Sequence, residues 1–165
     1  MPLSEYLARL RARVGSDLLM LPSVTACVFD DEGRMLVARH TEMGDLWCPP
    51  GGIVEPDEAP GDALVRELRE ELGLGVRLRG LIGAYGGPSF RTTYLNGDEV
   101  AYVITVYGCT VDDGPAEPDG VEIAEVRWIH PHEAAALPMP PWTSVVVPEG
   151  FAWRDAALPA PEPVT

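Results

Sequence analysis

A chain of 165 residues, 46% apolar and 23% charged, can bury one core of ordinary thickness and is short for two domains. Its 12 basic and 26 acidic side chains give a net charge of −14 and a pI near 4.4, the opposite of the clustered cations that grip a nucleic-acid backbone. No apolar run approaches the roughly 20 residues that cross a bilayer, and Met1 to Val14 is charged and interrupted, unlike a secretion signal. The expected setting is therefore the cytoplasm, away from membranes and nucleic-acid polymers.

Cys27, Cys48 and Cys109 are odd in number and widely spaced, which indicates neither a disulfide framework nor a zinc knuckle. Ser4 to Val14 carries Leu7, Leu10 and Val14 at helical spacing behind a capping serine. A short amphipathic helix is expected there, packed on the body or on a second subunit. Ser23 to Phe29, the turn Asp30 to Gly33, and Met35 to Arg39 read as a hairpin, followed by a loop from His40 to Leu46. Pro49 and Pro50 fix the approach of the chain, and Gly51 and Gly52 then free its backbone ahead of a brief strand at Ile53 and Val54.

Pro60 to Leu72 is the best-specified helix, with Leu64, Val65, Leu68 and Leu72 on one side, Pro60 in its first turn and Gly73 at its stop. Val76 to Tyr85 and Phe90 to Leu95 read as extended, and Asn96-Gly97 as a hairpin turn before Glu99 to Cys109. Val100 to Tyr107 is apolar at nearly every residue and calls for cover on both faces, as in a sheet between helices. An acidic loop from Val111 to Gly120, a strand from Glu122 to Ile129 and a short helix near Pro131 to Leu137 complete the body. Ala157 to Thr165, rich in proline and alanine, reads as a mobile tail.

The chemistry concentrates in the helix over Pro60 to Leu72. At 100° per residue, Glu67, Glu70 and Glu71 share one flank beside the leucine stripe. Like charges one turn apart repel by a few tenths of a kcal/mol in an isolated helix. Arg66 and Arg69 on the same helix allow an account in terms of solvated ion pairs. The alternative is a site for a hard cation, since magnesium takes oxygen ligands and keeps room for waters and substrate phosphates.

The surrounding segment reads Gly52-x5-Glu58-x7-Arg66-Glu67-Leu68-x-Glu70-Glu71-x-Gly73-Leu74. It resembles the Nudix box at all nine fixed positions over 23 residues, with Trp47 and Pro49-Pro50-Gly51 resembling the usual entry. Tyr6 to Arg39 is similar to the family's leading helix and hairpin, and Glu125 to Trp128 with Glu133 to its closing strand and helix. The resemblance implies the Nudix-type α/β/α sandwich around a mixed β-sheet, as a single domain over residues 1–153 with a leading helix segment at 1–20 and a mobile tail at 154–165.

It also implies hydrolysis of a nucleoside diphosphate linked to another group. Glu67, Glu70 and Glu71 would then hold magnesium or manganese, with the carbonyl of Gly51 as a further ligand. Arg66 would orient Glu70 or Glu58. The family's general base varies in position; Glu67 or Glu70 is favoured, with Glu117, Glu122 and Glu125 as candidates outside the box. A small nucleotide is the implied substrate and a homodimer the implied assembly.

The leaving group is chosen by side chains outside the box that stack on a base or sugar. Trp47, Tyr85, Phe90, Arg91 and Tyr94 are the expected suppliers. Pro88 falls just short of a proline position that the family's ADP-ribose hydrolases carry, and Tyr94 to Val100 resembles a stretch in ADP-ribose or nucleoside triphosphate hydrolases. ADP-ribose is slightly preferred. A nucleotide sensor of the same fold without turnover is the rival reading, disfavoured because every box glutamate is present. His40, His130 and His132 lack a ligand pattern and are expected at the surface or as caps.

Overall fold

The computed structural model describes residues 4–158 other than Leu95, without the side chain of Glu42. Among the described residues four α-helices, α1 (Glu5–Val14), α2 (Pro60–Leu72), α3 (Pro131–Ala134) and α4 (Thr143–Ala157), surround one sheet. The strands are β1 (Leu19–Phe29), β2 (Met35–His40), β3 (Trp47–Cys48), β4 (Gly51–Ile53), β5 (Gly75–Tyr85), β6 (Arg91–Thr93), β7 (Glu99–Asp113) and β8 (Ile123–Ile129). The central order is β3-β2-β1-β7-β5, and β4, β6 and β8 pair with β1, β7 and β2. β1 and β7 run parallel from Leu19↔Val100 to Phe29↔Thr110, and the other pairs are antiparallel. The sheet is mixed, as expected.

Side-chain alternation along β1 builds the sandwich. Val24, Ala26 and Val28 pack with Ala63, Leu64, Leu68 and Leu72 of α2. Cys27 and Phe29 pack with Val146, Val147 and Phe151 of α4 on the opposite face. The strand covered on both faces is thus β1, buried at nearly every residue beyond Leu21. β7 departs from its expected full burial: Val103 is 45% exposed.

α2 keeps its expected bounds. Pro60 stands at its start, and Gly73 adopts φ 61° at its end, donating its N–H to the Arg69 carbonyl at 3.1 Å. Val65, placed on the apolar stripe by spacing alone, is 37% exposed, and Ala63 takes the inward position. The three cysteines are buried and free.

α4 was not expected. Its valine run is β-branched and it contains Pro148 and Gly150, features that argue against a helix in isolation. Packing explains them. A Cβ on Gly150 would lie 2.6 Å from Cys27 Sγ, and one on Gly108 of β7 would lie 2.1 Å from the Trp153 ring, so both glycines let α4 settle on the sheet. The expected tail from 154 is corrected accordingly. Residues up to Ala157 are helical, with Arg154 near the rings of Phe29 and Phe151 and bonded to the Gly33 carbonyl; residues 159–165 lie outside the described residues.

α1 is capped by Ser4, whose Oγ accepts from the Leu7 N–H at 3.2 Å. Leu7 packs with Leu21 and Val100 of the same chain, so the helix lies on the body and its buried face is not offered to a second subunit. Among the described residues no helix is long and apolar enough to cross a membrane.

Candidate active site

The site forms where α2 crosses β4. β4 pairs antiparallel with β1 in the register Ser23↔Ile53, Val24↔Gly52 and Thr25↔Gly51. A Cβ on Gly51 would lie 2.1 Å from the Val24 carbonyl oxygen, and one on Gly52 would lie 2.2 Å from Glu67 Cδ. The first glycine thus lets two backbones meet, and the second admits the Glu67 carboxylate against the strand. The Ser23 hydroxyl donates to the Gly52 carbonyl at 2.8 Å, fixing that glycine further.

The three box glutamates on α2 do not share one environment. Glu67 and Glu71 are 8% and 3% exposed, whereas the Glu70 side chain is 62% exposed at the rim. Both oxygens of Glu71 are buried without a hydrogen-bond partner. Burial first, then the nearby charges of Glu67 and Glu122, push the Glu71 carboxyl up to about 9. Burial also raises Glu67, opposed by the Arg66 guanidinium. An orphaned buried carboxylate costs several kcal/mol unless protonated or given a cation.

Arg66 organises the outer side. Its Nε and Nη2 donate to the two oxygens of Glu58 at 2.8 and 2.9 Å, and its Nη1 lies 3.0 Å from Glu67 Oε1 and 3.2 Å from Glu70 Oε2. That fork lowers the pKa of the Glu58 carboxyl. Of the two partners expected for Arg66, the structure supplies both and adds Glu67.

The acidic loop after β7 is docked onto α2. The N–H groups of Glu117 and Asp119 donate to the carbonyls of Leu72 and Glu71, each at 3.0 Å, satisfying the end of the helix. Asp119 Oδ1 accepts from the N–H groups of Val121, Glu122 and Ile123 at 2.9 to 3.0 Å. These bonds set Glu122 beside the site, where its charge reaches Glu67 and Glu71.

A cavity of about 230 Å³ opens beside Gly51 and Gly52 and extends to Tyr94, Tyr102 and the α1 side chains Leu7 and Arg11. Glu122 lines it, whereas the other two distal candidates point elsewhere: Glu117 is exposed and Glu125 is paired with Arg39 at 3.1 Å. Tyr94 alone of the five expected base-binding residues lines the cavity. Trp47 is a core residue, with the guanidinium of Arg127 4.8 Å from its ring centroid. Phe90 is buried and stacked on Tyr85, whose hydroxyl bonds to Glu149, and Arg91 is exposed on β6. Sequence reading missed Tyr102, Trp142 and His40 as cavity-lining residues. Tyr102 sits in the apolar run of β7 and Trp142 at the start of α4, so neither stood apart from core positions. His130 serves at the start of α3, its N–H donating to Glu133 Oε2 at 2.7 Å. Among the described residues no three acidic, histidine or cysteine side chains converge into a ready-made cage for an ion.

Comparison with known proteins gives a consistent picture. A family model described as the NUDIX domain matches residues 20–150. The CTP pyrophosphohydrolase of Escherichia coli is 32% identical over 140 residues, covering 83% of this chain and 96% of that protein. Among solved structures, the E. coli ORF135 protein superposes with a TM-score of 0.61 at 30% identity, over 87% of this chain and 96% of that one. A UDP-X diphosphatase superposes with a TM-score of 0.64 at 22% identity, over 96% of this chain and 73% of that chain.

Proposed function

The chain belongs to the Nudix family and is a hydrolase of nucleoside diphosphate-linked compounds, and from that premise we propose that it cleaves a nucleoside triphosphate, in the first place a pyrimidine one, with magnesium or manganese. The observation that carries the metal dependence is Glu71, whose two buried oxygens lack partners beside a second buried glutamate. A hard cation suits that donor set. Glu67 and Glu71 would hold it with the Gly51 carbonyl, Glu70 would join from the rim, and substrate phosphates would complete the shell, the mode usual for magnesium. When bound, the ion offsets phosphate charge and lowers the pKa of water.

The chain's own residues then divide the work. Arg66 keeps Glu67 in place through the contact at 3.0 Å and anchors itself on Glu58. Glu122 takes the proton from the attacking water; of the three distal candidates it alone lines the cavity, and its backbone is held by Asp119. Glu67 and Glu70, favoured as base from sequence, are better occupied as ligands, because Glu67 is held by Arg66 and Glu70 faces solvent. Water oxygen bonds to an anhydride phosphorus, and the bridging oxygen leaves with the displaced phosphate group.

Two observations support a triphosphate over the nucleotide sugar preferred from sequence. A cavity of about 230 Å³ lies below the roughly 300–1,000 Å³ of most ligand pockets, room for one base with its ribose more readily than for these and the second ribose of ADP-ribose. The E. coli relative matched over almost its full length is named for CTP. The test is product analysis with CTP, UTP and ADP-ribose under magnesium. CMP and pyrophosphate from CTP, lost with a chelator, support the reading; faster release of AMP from ADP-ribose supports the nucleotide sugar, and tight binding without product supports the sensor.

A further inference from the structure

At the end of the cavity away from Gly52, the hydroxyls of Tyr94 and Tyr102 meet at 2.5 Å, and either can be the donor. Both side chains line the cavity. The position suits a nucleoside. Gly52 pairs with Val24 and Tyr102 with Leu21, so three residues of β1, about 10 Å at strand rise, separate the tyrosine from the glutamate site. That is about the reach of a nucleotide from its phosphates to its base.

Three other polar side chains at this end, Arg11, Asn96 and Asp98, are already engaged. Asp98 lies 3.5 Å from Arg11 Nε and accepts from Asn96 Nδ2 at 3.1 Å. Arg11 also donates to the carbonyls of Asp17 and Glu99 at 2.8 and 2.9 Å. Tyr102 differs. If it accepts from Tyr94, its own O–H is left to donate, and if it donates, its lone pairs are left to accept. Burial and the neighbouring Tyr94 push its phenol well above the ordinary range, so it stays protonated at working pH.

We propose that Tyr102, paired with Tyr94, is the base-reading residue of this site, and that because its hydroxyl can turn from donor to acceptor it accepts both cytosine and uracil. Cytosine offers an amino donor beside a ring nitrogen acceptor, and uracil the reverse, so a fixed carboxylate or guanidinium would favour one of them. A reversible hydroxyl serves either when the O–H groups of both tyrosines turn together. The leading helix takes part, since Leu7 packs with Leu21 and Val100, and Tyr94 and Tyr102 pack against that cluster.

This inference rests on the nucleoside triphosphate reading, so its test has a binding arm that does not need turnover. Calorimetry with CMP and UMP, and kinetics with CTP, UTP and ribose 5-triphosphate, are compared for wild type, Tyr102→Phe and Tyr94→Phe, with thermal melts confirming the fold. The expected result is that wild type binds CMP and UMP within about tenfold of each other. Tyr102→Phe should weaken both about five- to tenfold, the scale of one neutral hydrogen bond. KM should rise for CTP and UTP at unchanged kcat, with ribose 5-triphosphate unaffected. Absence of turnover with CMP binding still sensitive to Tyr102 overturns the triphosphate reading alone. Unaltered CMP binding in a folded Tyr102→Phe, no CMP binding by wild type, or a hundredfold preference between the two bases overturns the inference.

Discussion

The carboxylate of Glu67 lies so close over Gly52 that a methyl group on that glycine would stand 2.2 Å from Glu67 Cδ and 2.3 Å from Oε1. Neither φ of the strand nor a turn requires glycine here, since Gly52 is not among the residues with positive φ. Its place is set by the acid above it. Gly52→Ala should therefore displace Glu67 and lower kcat/KM at least about tenfold, for a stability cost of about 1–3 kcal/mol from overpacking. Steady-state kinetics and a melt on the same sample check this; full activity in the alanine variant would show that the contact does not position Glu67.

Glu71 gives the ion-free protein an unusual pH dependence. Its folded-state pKa of about 9 lies above the ordinary 4.5, so the folded chain retains a proton that the unfolded chain releases. Stability is then greatest below about 4.5 and falls as pH rises towards 9, by up to about 1.4 kcal/mol per pH unit. Glu67 adds in the same direction. Glu58 and Asp119, both lowered, act in the acid window instead, where their contribution is lost as pH falls. Melts in chelator between pH 5.5 and 8.5 should show falling Tm, flattened by Glu71→Gln and by saturating magnesium in wild type. A flat wild-type profile in chelator contradicts this.

Arg66 touches three carboxylates with a planar fork that lysine cannot reproduce. Arg66→Lys should lower kcat about ten- to a hundredfold, the range seen when residues orienting a metal's ligands are changed. Glu58→Gln should lose less, because it leaves Arg66 its contacts to Glu67 and Glu70. Equal, small losses in both variants would mean that Arg66 stabilises the loop without orienting Glu67.

The distal acids separate cleanly. Glu122→Gln should reduce kcat by about a hundredfold or more, as expected for loss of a general base. Glu117→Gln and Glu125→Gln should stay within about twofold of wild type. A Glu122→Gln variant with kcat near that of wild type would return the role to the box.

The box was legible because its spacing joins two kinds of constraint. Glycines and Pro60 mark backbone geometry, and Glu67 and Glu71 fall one turn apart on a helix whose leucines fix its rotation. The substrate end was not. Trp47 and Phe90 looked like ligands because aromatics are what a base stacks on, yet each is equally at home in the core, where the structure puts them. Tyr102 looked like core for the converse reason, lying in an apolar strand. Only tertiary pairing of β1 with β7 and the placement of α1 bring its hydroxyl to the cavity. α4 was hidden because Pro148 and its valines weaken local helix preference, and its stability comes from Gly108, Gly150 and Cys27, distant in sequence or read only through packing.

The most direct test of the account is calorimetric titration of the nucleotide-free protein with manganese at pH 7.5 in buffers of different ionisation enthalpy. With Glu71 protonated before binding and ionised after it, wild type should release close to one proton per ion bound, and Glu71→Gln should bind about ten- to a hundredfold more weakly with no such release. Equal affinity and equal proton release in a folded Glu71→Gln would contradict it.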